Sequence, residues 1–184
     1  MTKVALRIFS IKLLKITYQI AKLINGKNPR AKTEERKMAN TSVIVIPEGK
    51  ICDYVDGKFR NDTPEEYVRQ TIEKRLVNEH KYLPKQIRIE YTLQLGSRKP
   101  RADIVIFDKD CREQTQENIK IIIECKKEAV EARNAKDGVE QLKSYMSACP
   151  NCEWGMWTNG RQKEVYHKYV NDKGQIDFMD YNDI

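Results

Sequence analysis

Histidine is scarce in this sequence of 184 residues, which contains only His80 and His167. Few imidazoles are therefore present to complete a zinc site. The five cysteines are an odd number and favour a reducing, cytoplasmic environment over a disulfide framework. Cys149 and Cys152 have the spacing of a zinc knuckle, but no second such pair exists. Free thiols are the favoured interpretation, and a structural zinc site is the alternative.

The sequence also lacks an uninterrupted apolar run that is long enough to span a membrane. The nearest candidate, residues 3–25, is interrupted by Lys12, Lys15 and Lys22. Apolar residues recur there at spacings of three and four, which predicts an amphipathic helix. We expect this helix to pack on the rest of the chain or on a second copy in a homodimer. Binding of residues 3–25 to a membrane surface is the less favoured alternative.

Positive charge is concentrated at the start of the chain. The formal net charge is +7, yet residues 1–40 alone hold ten Lys and Arg against two Glu, a net +8. The rest of the chain holds 24 basic and 25 acidic residues, a net −1. This contrast predicts a basic helix and linker at 1–40 and a globular domain at 41–184. A basic segment of this kind suits nucleic acid, an anionic membrane surface or an acidic partner.

A helix start is predicted near residue 63. Thr63 is suited to the N-cap, Pro64 to the first helical position, and Glu66 to the third position of a capping box. Glu65 shares the inward face of this helix with Arg69. Two interpretations of Glu65 are open: a surface acid that complements the helix dipole, or a ligand directed at a functional site.

Two apolar runs predict strands that are buried on both faces. One covers residues 102–107 and carries Asp103 near its start. The other contains three consecutive isoleucines and leads into Glu124-Cys125-Lys126. Because residues two apart in a strand share a face, Glu124 and Lys126 should point the same way. The short connection predicts antiparallel neighbours, which would bring Asp103 near Glu124. Paired charges at a strand end also commonly serve structure alone.

The other predicted elements complete a central sheet with flanking helices. A helix is expected at 135–148, with Gln141 and Tyr145 on one face because they are four residues apart. A surface glutamine beside a packing tyrosine is the commoner meaning of such a pair. Strands are expected at 42–46, 86–95, 153–158, 163–170 and 175–180, the last two as edge strands, and a hairpin at 51–59.

The acidic residues at the predicted strand ends suggest phosphodiester chemistry. Asp103 and Glu124 could share Mg²⁺, or Mn²⁺, with the Cys125 carbonyl and water as further oxygen ligands. The ion would polarise a scissile phosphate and activate water, while Lys126 would orient that water or neutralise developing charge. The Cys125 side chain alternates to the opposite face, so we expect it in the core.

Five short motifs occur in an order that resembles the PD-(D/E)xK nuclease superfamily. The likeness is closest to the N-terminal nuclease domain of Type I restriction enzyme restriction subunits. The motifs are Thr63-Pro64-Glu65-Glu66, Arg101-Ala102-Asp103-Ile104-Val105-Ile106, Ile123-Glu124-Cys125-Lys126, Gln141-Leu142-Lys143-Ser144-Tyr145 and Thr158-Asn159-Gly160. Together they cover roughly residues 51–170. Ala102 stands where the superfamily pattern has proline, a position that shapes the strand and supplies no ligand.

The resemblance implies a restriction-endonuclease-like α/β fold, with a central mixed sheet flanked by helices. It also implies a Mg²⁺-dependent DNA endonuclease with Asp103, Glu124, Lys126 and Gln141 as catalytic residues. Glu65 would be an auxiliary acid at the metal, and other restriction-modification subunits would be candidate partners. The translocase of Type I enzymes cannot be carried over, since no Gly-x-x-x-x-Gly-Lys-Ser/Thr loop occurs. The alternative is a non-catalytic nucleic-acid-binding or assembly module that keeps the fold.

Overall fold

The computed structural model describes residues 45–181. The predicted helix at 3–25, the basic segment at 1–40 and most of the predicted strand at 42–46 lie outside this range. The division into parts at 1–40 and 41–184 therefore stays a prediction. The described chain contains the strands β1 (Lys50–Cys52), β2 (Phe59–Asn61), β3 (Ile87–Thr92), β4 (Arg101–Phe107), β5 (Ile119–Cys125), β6 (Trp154–Thr158), β7 (Lys163–Val170) and β8 (Ile176–Asp180), and the helices α1 (Pro64–Asn78) and α2 (Val139–Ala148).

Six strands form one mixed sheet in the order β3-β4-β5-β6-β7-β8. The pair β5–β6 is parallel and the other four pairs are antiparallel. Parallel neighbours require a crossover connection, and α2 supplies it between β5 and β6. The predicted fold class, a central mixed sheet with flanking helices, is confirmed. Strands β1 and β2 form a separate antiparallel hairpin.

The sheet has an apolar core on each face, as its β-branched central strands predict. On the face that packs against α2, the core includes Val105, Ile122 and Trp157. On the face that packs against α1, it includes Ile104 and Ile123. Consecutive residues of β4 and β5 thus alternate between the two cores, and only the ends of these strands are free to carry polar groups.

Helix α1 begins as its sequence predicts. The Thr63 side chain accepts a hydrogen bond from the Glu66 backbone N–H at 3.2 Å, and Pro64 occupies the first helical position. The expected return bond from the Glu66 carboxylate to the cap is replaced by bonds from the Arg69 guanidinium and from the Gln70 amide. Glu66 is therefore structural, but it stabilises the helix interior and not the cap.

Several predicted element bounds are wrong. Helix α2 begins at Val139 because residues 134–138 form turns: the Asn134 carboxamide oxygen accepts from the Lys136 and Asp137 N–H groups, each at 2.9 Å. Strand β7 lies inside the sheet, and only β8 of the predicted pair is an edge strand. Val45 and Ile46, the described part of the expected strand at 42–46, are not in a strand.

Candidate active site

Adjacent ends of β4 and β5 bring two acids together. The register pairs Ile104 with Ile123, which places Asp103 beside Glu124. The Asp103 backbone N–H donates to Glu124 Oε1 at 3.2 Å, and the Cys125 backbone N–H donates to Asp103 Oδ2 at 2.8 Å. Each carboxylate thus binds the backbone of the other strand, so strand pairing itself sets their positions.

Lys126 completes a cluster of three charges. It follows the last residue of β5, and its backbone N–H donates to the Thr158 carbonyl of β6 at 2.8 Å, which continues the parallel pairing. Its ammonium group lies 3.2 Å from Glu124 Oε2 and 3.8 Å from Asp103 Oδ2. The predicted convergence of Asp103, Glu124 and Lys126 on one side of the sheet is therefore present in the structure.

Burial perturbs the protonation of this cluster. It raises the pKa of both acids, and the negative charge of Asp103 raises the pKa of Glu124 further, while that of Glu90 raises the pKa of Asp103. Burial alone would lower the pKa of Lys126, but Glu124 and Asp103 outweigh it and hold that pKa above its ordinary value. Lys126 is therefore an ammonium ion at neutral pH, and it supplies the positive charge that two neighbouring buried acids need.

Cys125 contributes backbone and core packing to the site. Its thiol is buried in the α1-side core, and burial raises its pKa well above the ordinary value, as expected for a residue that is not a nucleophile. No described peptide bond is cis. Because the N–H of Lys126 points to β6, the carbonyl of the same trans peptide points the opposite way, toward the β4 side where Asp103 lies.

Glu65 lies at the start of α1 and lines the same groove as Asp103 and Lys126. It is half-buried, and burial raises its pKa, while the charge of Lys126 lowers it and that of Asp103 raises it. The structure therefore places Glu65 on the side of the helix that faces the cluster, the position that the second of its two interpretations requires. Its role there as a metal ligand stays a prediction.

Gln141 and Tyr145 form a pair on α2, as their spacing predicts. The Gln141 amide donates to the Tyr145 hydroxyl at 2.7 Å. The Gln141 Oε1 atom is buried and has no hydrogen-bond partner. The charges of Glu124 and Lys126 influence the pKa of Tyr145, which burial raises. This pair therefore lies beside the acidic cluster, with one buried acceptor unused.

Arg69 is a neighbour of the site that the sequence does not identify as functional. Its guanidinium lies 3.7 Å from Asp103 Oδ1, 3.5 Å from Glu90 Oε1 and 3.9 Å from Glu73 Oε1, and it also binds Glu66. The inward face of α1 predicts that Arg69 is buried, but two of its partners, Glu90 and Asp103, come from β3 and β4. Only the tertiary structure shows that it contacts Asp103.

Glu90 is a second unpredicted neighbour, directly across β3–β4 from Asp103. The pairs Ile89–Ile104 and Tyr91–Ala102 flank it. Its φ of +54° lies in the left-handed region, which is uncommon for residues other than glycine. Its carboxylate contacts three arginines: Arg60 at 3.8 Å, Arg69 at 3.5 Å and Arg101 at 3.4 Å. Backbone strain of this kind tends to cluster at functional sites.

The loop that follows Lys126 is held by buried polar contacts. The Asn159 amide donates to the carbonyls of Glu128 and Val130 at 3.2 and 2.8 Å. The Trp157 indole donates to the Asp137 carbonyl at 2.9 Å. The turn motif at Thr158-Asn159-Gly160 thus fixes the path of the chain between Lys126 and α2.

The donor set suits a hard cation with few protein ligands. No group of three or more His, Cys, Asp or Glu side chains within residues 45–181 is arranged to hold a metal. Two carboxylates do converge on Lys126, the Cys125 carbonyl points toward their side, and Mg²⁺ commonly takes one or two carboxylates and keeps several waters. Asp103, Glu124 and the Cys125 carbonyl therefore fit Mg²⁺ better than a metal that needs a closed cage.

No helix in the described range is long and apolar enough to cross a membrane.

Comparison with known proteins identifies the family. A family model described as Type I restriction enzyme R protein N terminus (HSDR_N) matches residues 64–184, about two thirds of the chain. No significant match was found among curated proteins or among solved structures. The matched range contains Asp103, Glu124, Lys126 and Gln141. The chain therefore belongs to the family of Type I restriction enzyme R protein N termini.

Proposed function

We propose that this protein is a Mg²⁺-dependent endonuclease of the PD-(D/E)xK type that hydrolyses phosphodiester bonds in DNA. The observation that carries the proposal is the convergence of Asp103, Glu124 and Lys126. Lys126 Nζ lies within 3.2 Å of one carboxylate and 3.8 Å of the other. Family membership supports the same reading, since restriction enzymes act on DNA.

The Asp103 and Glu124 carboxylates and the Cys125 carbonyl would hold the ion, with Glu65 reaching it from α1. Mn²⁺ would be accepted by the same oxygen ligands. When bound, Mg²⁺ supplies charge stabilisation at the phosphoryl group and lowers the pKa of water.

Lys126 supplies hydrogen bonds and positive charge. Since it remains protonated, it is suited to orient an attacking water and to stabilise negative charge that develops on the phosphate, and not to remove a proton. Gln141 would accept a hydrogen bond from the water through its unpaired carbonyl oxygen, or donate one to the DNA backbone through its amide. Arg69 would hold Asp103 in place from the opposite side.

Delivery of DNA needs positive charge from elsewhere in the chain or from a partner. Residues 41–184 carry a net charge of −1, and phosphate contacts supply most non-specific DNA affinity. We propose that residues 1–40, a second copy, or other restriction-modification subunits supply that charge. Deletion of residues 1–40 should weaken DNA binding and reduce its salt dependence. Unchanged binding would exclude a role for this segment.

The test is cleavage of plasmid and single-stranded DNA with and without Mg²⁺. Asp103→Ala and Lys126→Ala should each abolish cleavage and retain the circular dichroism spectrum of the wild type. Lys120→Ala is the matched control: this lysine lies on β5 and pairs with Glu153 at 3.2 Å, toward the opposite end of the strand. A fully active Lys126→Ala protein would refute the assignment.

Calorimetric titration separates an enzyme from a non-catalytic module that keeps the fold. The proposal expects Mg²⁺ or Mn²⁺ to bind the wild type and to bind the Asp103→Ala protein much more weakly. A wild-type protein that neither binds these ions nor cleaves DNA would favour the binding or assembly module.

A further inference from the structure

An open groove of about 850 Å³ leads to the three charged residues. Its lining comes from the ends of β4 and β5, with Asp103 and Lys126, from the start of α1 and from the β1–β2 hairpin. The proposed function uses residues of β4, β5 and α1 and none of the hairpin, so the hairpin is free to contact a substrate.

One face of the hairpin fastens it to the domain. Arg60 in β2 lies 2.7 Å from the buried Asp53 and 3.8 Å from Glu90 of β3. The Tyr54 backbone N–H, just after β1, donates to the Gln70 side chain of α1 at 3.0 Å. The hairpin is thus held against both β3 and α1, and its position relative to the groove is defined.

The opposite face of the hairpin carries different chemistry. Cross-strand partners share a face, so Lys50 with Asn61 and Cys52 with Phe59 lie on the side away from Arg60. Phe59 borders the groove, and the residue is 44% exposed. Lys50 donates one hydrogen bond to Asn61 Oδ1 at 2.6 Å, and its ammonium group has two further protons. An apolar ring and a cation therefore stand side by side at the groove.

Two exposed cations outside the hairpin also line the groove. Lys127 follows Lys126, is exposed and lines the groove. Arg101, at the start of β4, is 63% exposed although it also contacts Glu90. Three of the four acids that line the groove, Glu66, Glu90 and Asp103, lie against arginines, which reduces their repulsion of an anion. The fourth is Glu65, the auxiliary acid of the proposed metal site.

We propose that this groove binds a single DNA strand, with Phe59 stacked on an unpaired base and Lys50 and Lys127 on phosphates either side of the cleavage point. The proposal rests on the proposed function for the identity of the ligand. Paired bases stack on each other, so a phenyl ring finds a free base face only where the DNA is unpaired. Aromatic rings combined with cations are the usual means of holding a single strand.

The test is binding of the full-length protein, in EDTA to prevent cleavage, to a fluorescent single-stranded oligonucleotide and to its duplex. Phe59→Leu keeps apolar bulk but removes the ring, and should weaken single-strand binding by about 5- to 150-fold. Duplex binding should change by less than about 2-fold, because no base face is free there. Phe59→Tyr should restore single-strand binding. Met179→Ala, which alters an exposed apolar residue on β8, is the control.

The phosphate contacts are tested by salt dependence. The double variant Lys50→Ala/Lys127→Ala should reduce the slope of log K against log salt by about 1.4, since each single-strand phosphate contact contributes about 0.7. Lys58→Ala, in the turn of the same hairpin but outside the groove, should leave the slope unchanged. An unchanged slope in the double variant would overturn the proposal. So would wild-type single-strand affinity in Phe59→Leu, or equal losses for single strand and duplex.

Measurements of DNA binding and DNA cleavage on the same variants distinguish a failure of this inference from a failure of the proposed function. Loss of cleavage in Asp103→Ala together with wild-type binding by Phe59→Leu would remove the inference and keep the nuclease. A selective loss of single-strand binding in Phe59→Leu, with no cleavage by any form, would keep the groove as a DNA site and remove the nuclease.

Discussion

Glu73 provides a quantitative test of the charge network behind the site. This residue of α1 is 0% exposed, and neither carboxylate oxygen has a hydrogen-bond partner. The Arg69 Nε atom is 3.9 Å from Oε1. Burial, followed by the charge of Asp53, raises the pKa of Glu73 to about 8; Arg69 and Arg60 oppose this shift and Glu66 adds to it. In the native protein Glu73 is therefore a neutral acid at pH 7.

This protonation predicts how stability depends on pH. The unfolded chain ionises Glu73 above its ordinary pKa of 4.5, whereas the folded chain keeps the proton until a pKa of about 8. The unfolded state thus binds fewer protons between these values, and the free energy of unfolding falls as pH rises through that window. At pH 7 the loss is about 3 kcal/mol, at about 1.4 kcal/mol for each pH unit above the ordinary pKa.

Glu73→Gln removes the ionisation and keeps the shape of the side chain. We expect its free energy of unfolding to exceed that of the wild type by up to about 3 kcal/mol at pH 7, and the difference to vanish near pH 4.5. Urea denaturation between pH 4.5 and 8.5, followed by circular dichroism, measures both values. Glu140→Gln, whose side chain is 73% exposed, should show no such pH-dependent gain.

A destabilised Glu73→Gln protein at pH 7 would refute this reasoning. That result would mean that Glu73 is ionised in the native state and that its ion pair with Arg69 stabilises the fold. A difference that is constant across pH would point to altered packing and not to titration.

Three further substitutions test other parts of the site. Arg69→Ala should lower the free energy of unfolding by about 3–5 kcal/mol in urea denaturation, because buried acids lose their cation; unchanged stability would contradict the network. Cys125→Ser should retain DNA cleavage. Its free energy of unfolding should fall by about 1–3 kcal/mol, because a hydroxyl replaces a core thiol. Abolished cleavage in a folded protein would show that the thiol is functional. Gln141→Ala should reduce the cleavage rate and cost only about 1 kcal/mol of stability, through the lost bond to Tyr145; a wild-type rate would remove Gln141 from the site.

The central strands and their acidic ends are predictable because local pattern and final environment agree. Ile121, Ile122 and Ile123 are β-branched and apolar, as a strand buried on both faces requires. The short link to the preceding strand makes antiparallel pairing the natural outcome. That pairing brings Asp103 to Glu124 without information from distant parts of the chain.

The start of α2 shows where local preference fails. Ala135 and Lys136 favour a helix, yet Asn134 accepts two backbone hydrogen bonds and holds a turn. Trp157, far along the chain, binds the Asp137 carbonyl. Contacts of this kind override propensity and cannot be read from a local window.

The contacts between the arginines and the acids near Asp103 cannot be predicted from the sequence, for the same reason. Glu90 occupies a half-exposed strand position, where an acidic residue is common. Arg69 is one of several charged residues on α1, so nothing in the sequence distinguishes it. Their contacts with the site form only when β3, β4 and α1 come together beside Asp103. A left-handed backbone at a glutamate likewise gives no compositional signal.

The unusual backbone of Glu90 sets local strain against the charge network. Glycine tolerates a φ of +54° without the steric conflict that a side chain brings, so Glu90→Gly would relieve the strain at this position. Such a protein would lose the carboxylate that contacts Arg60, Arg69 and Arg101. The position of Arg69 beside Asp103 would no longer be fixed by this contact. Designs that aim at higher stability should therefore keep a glutamate at this position.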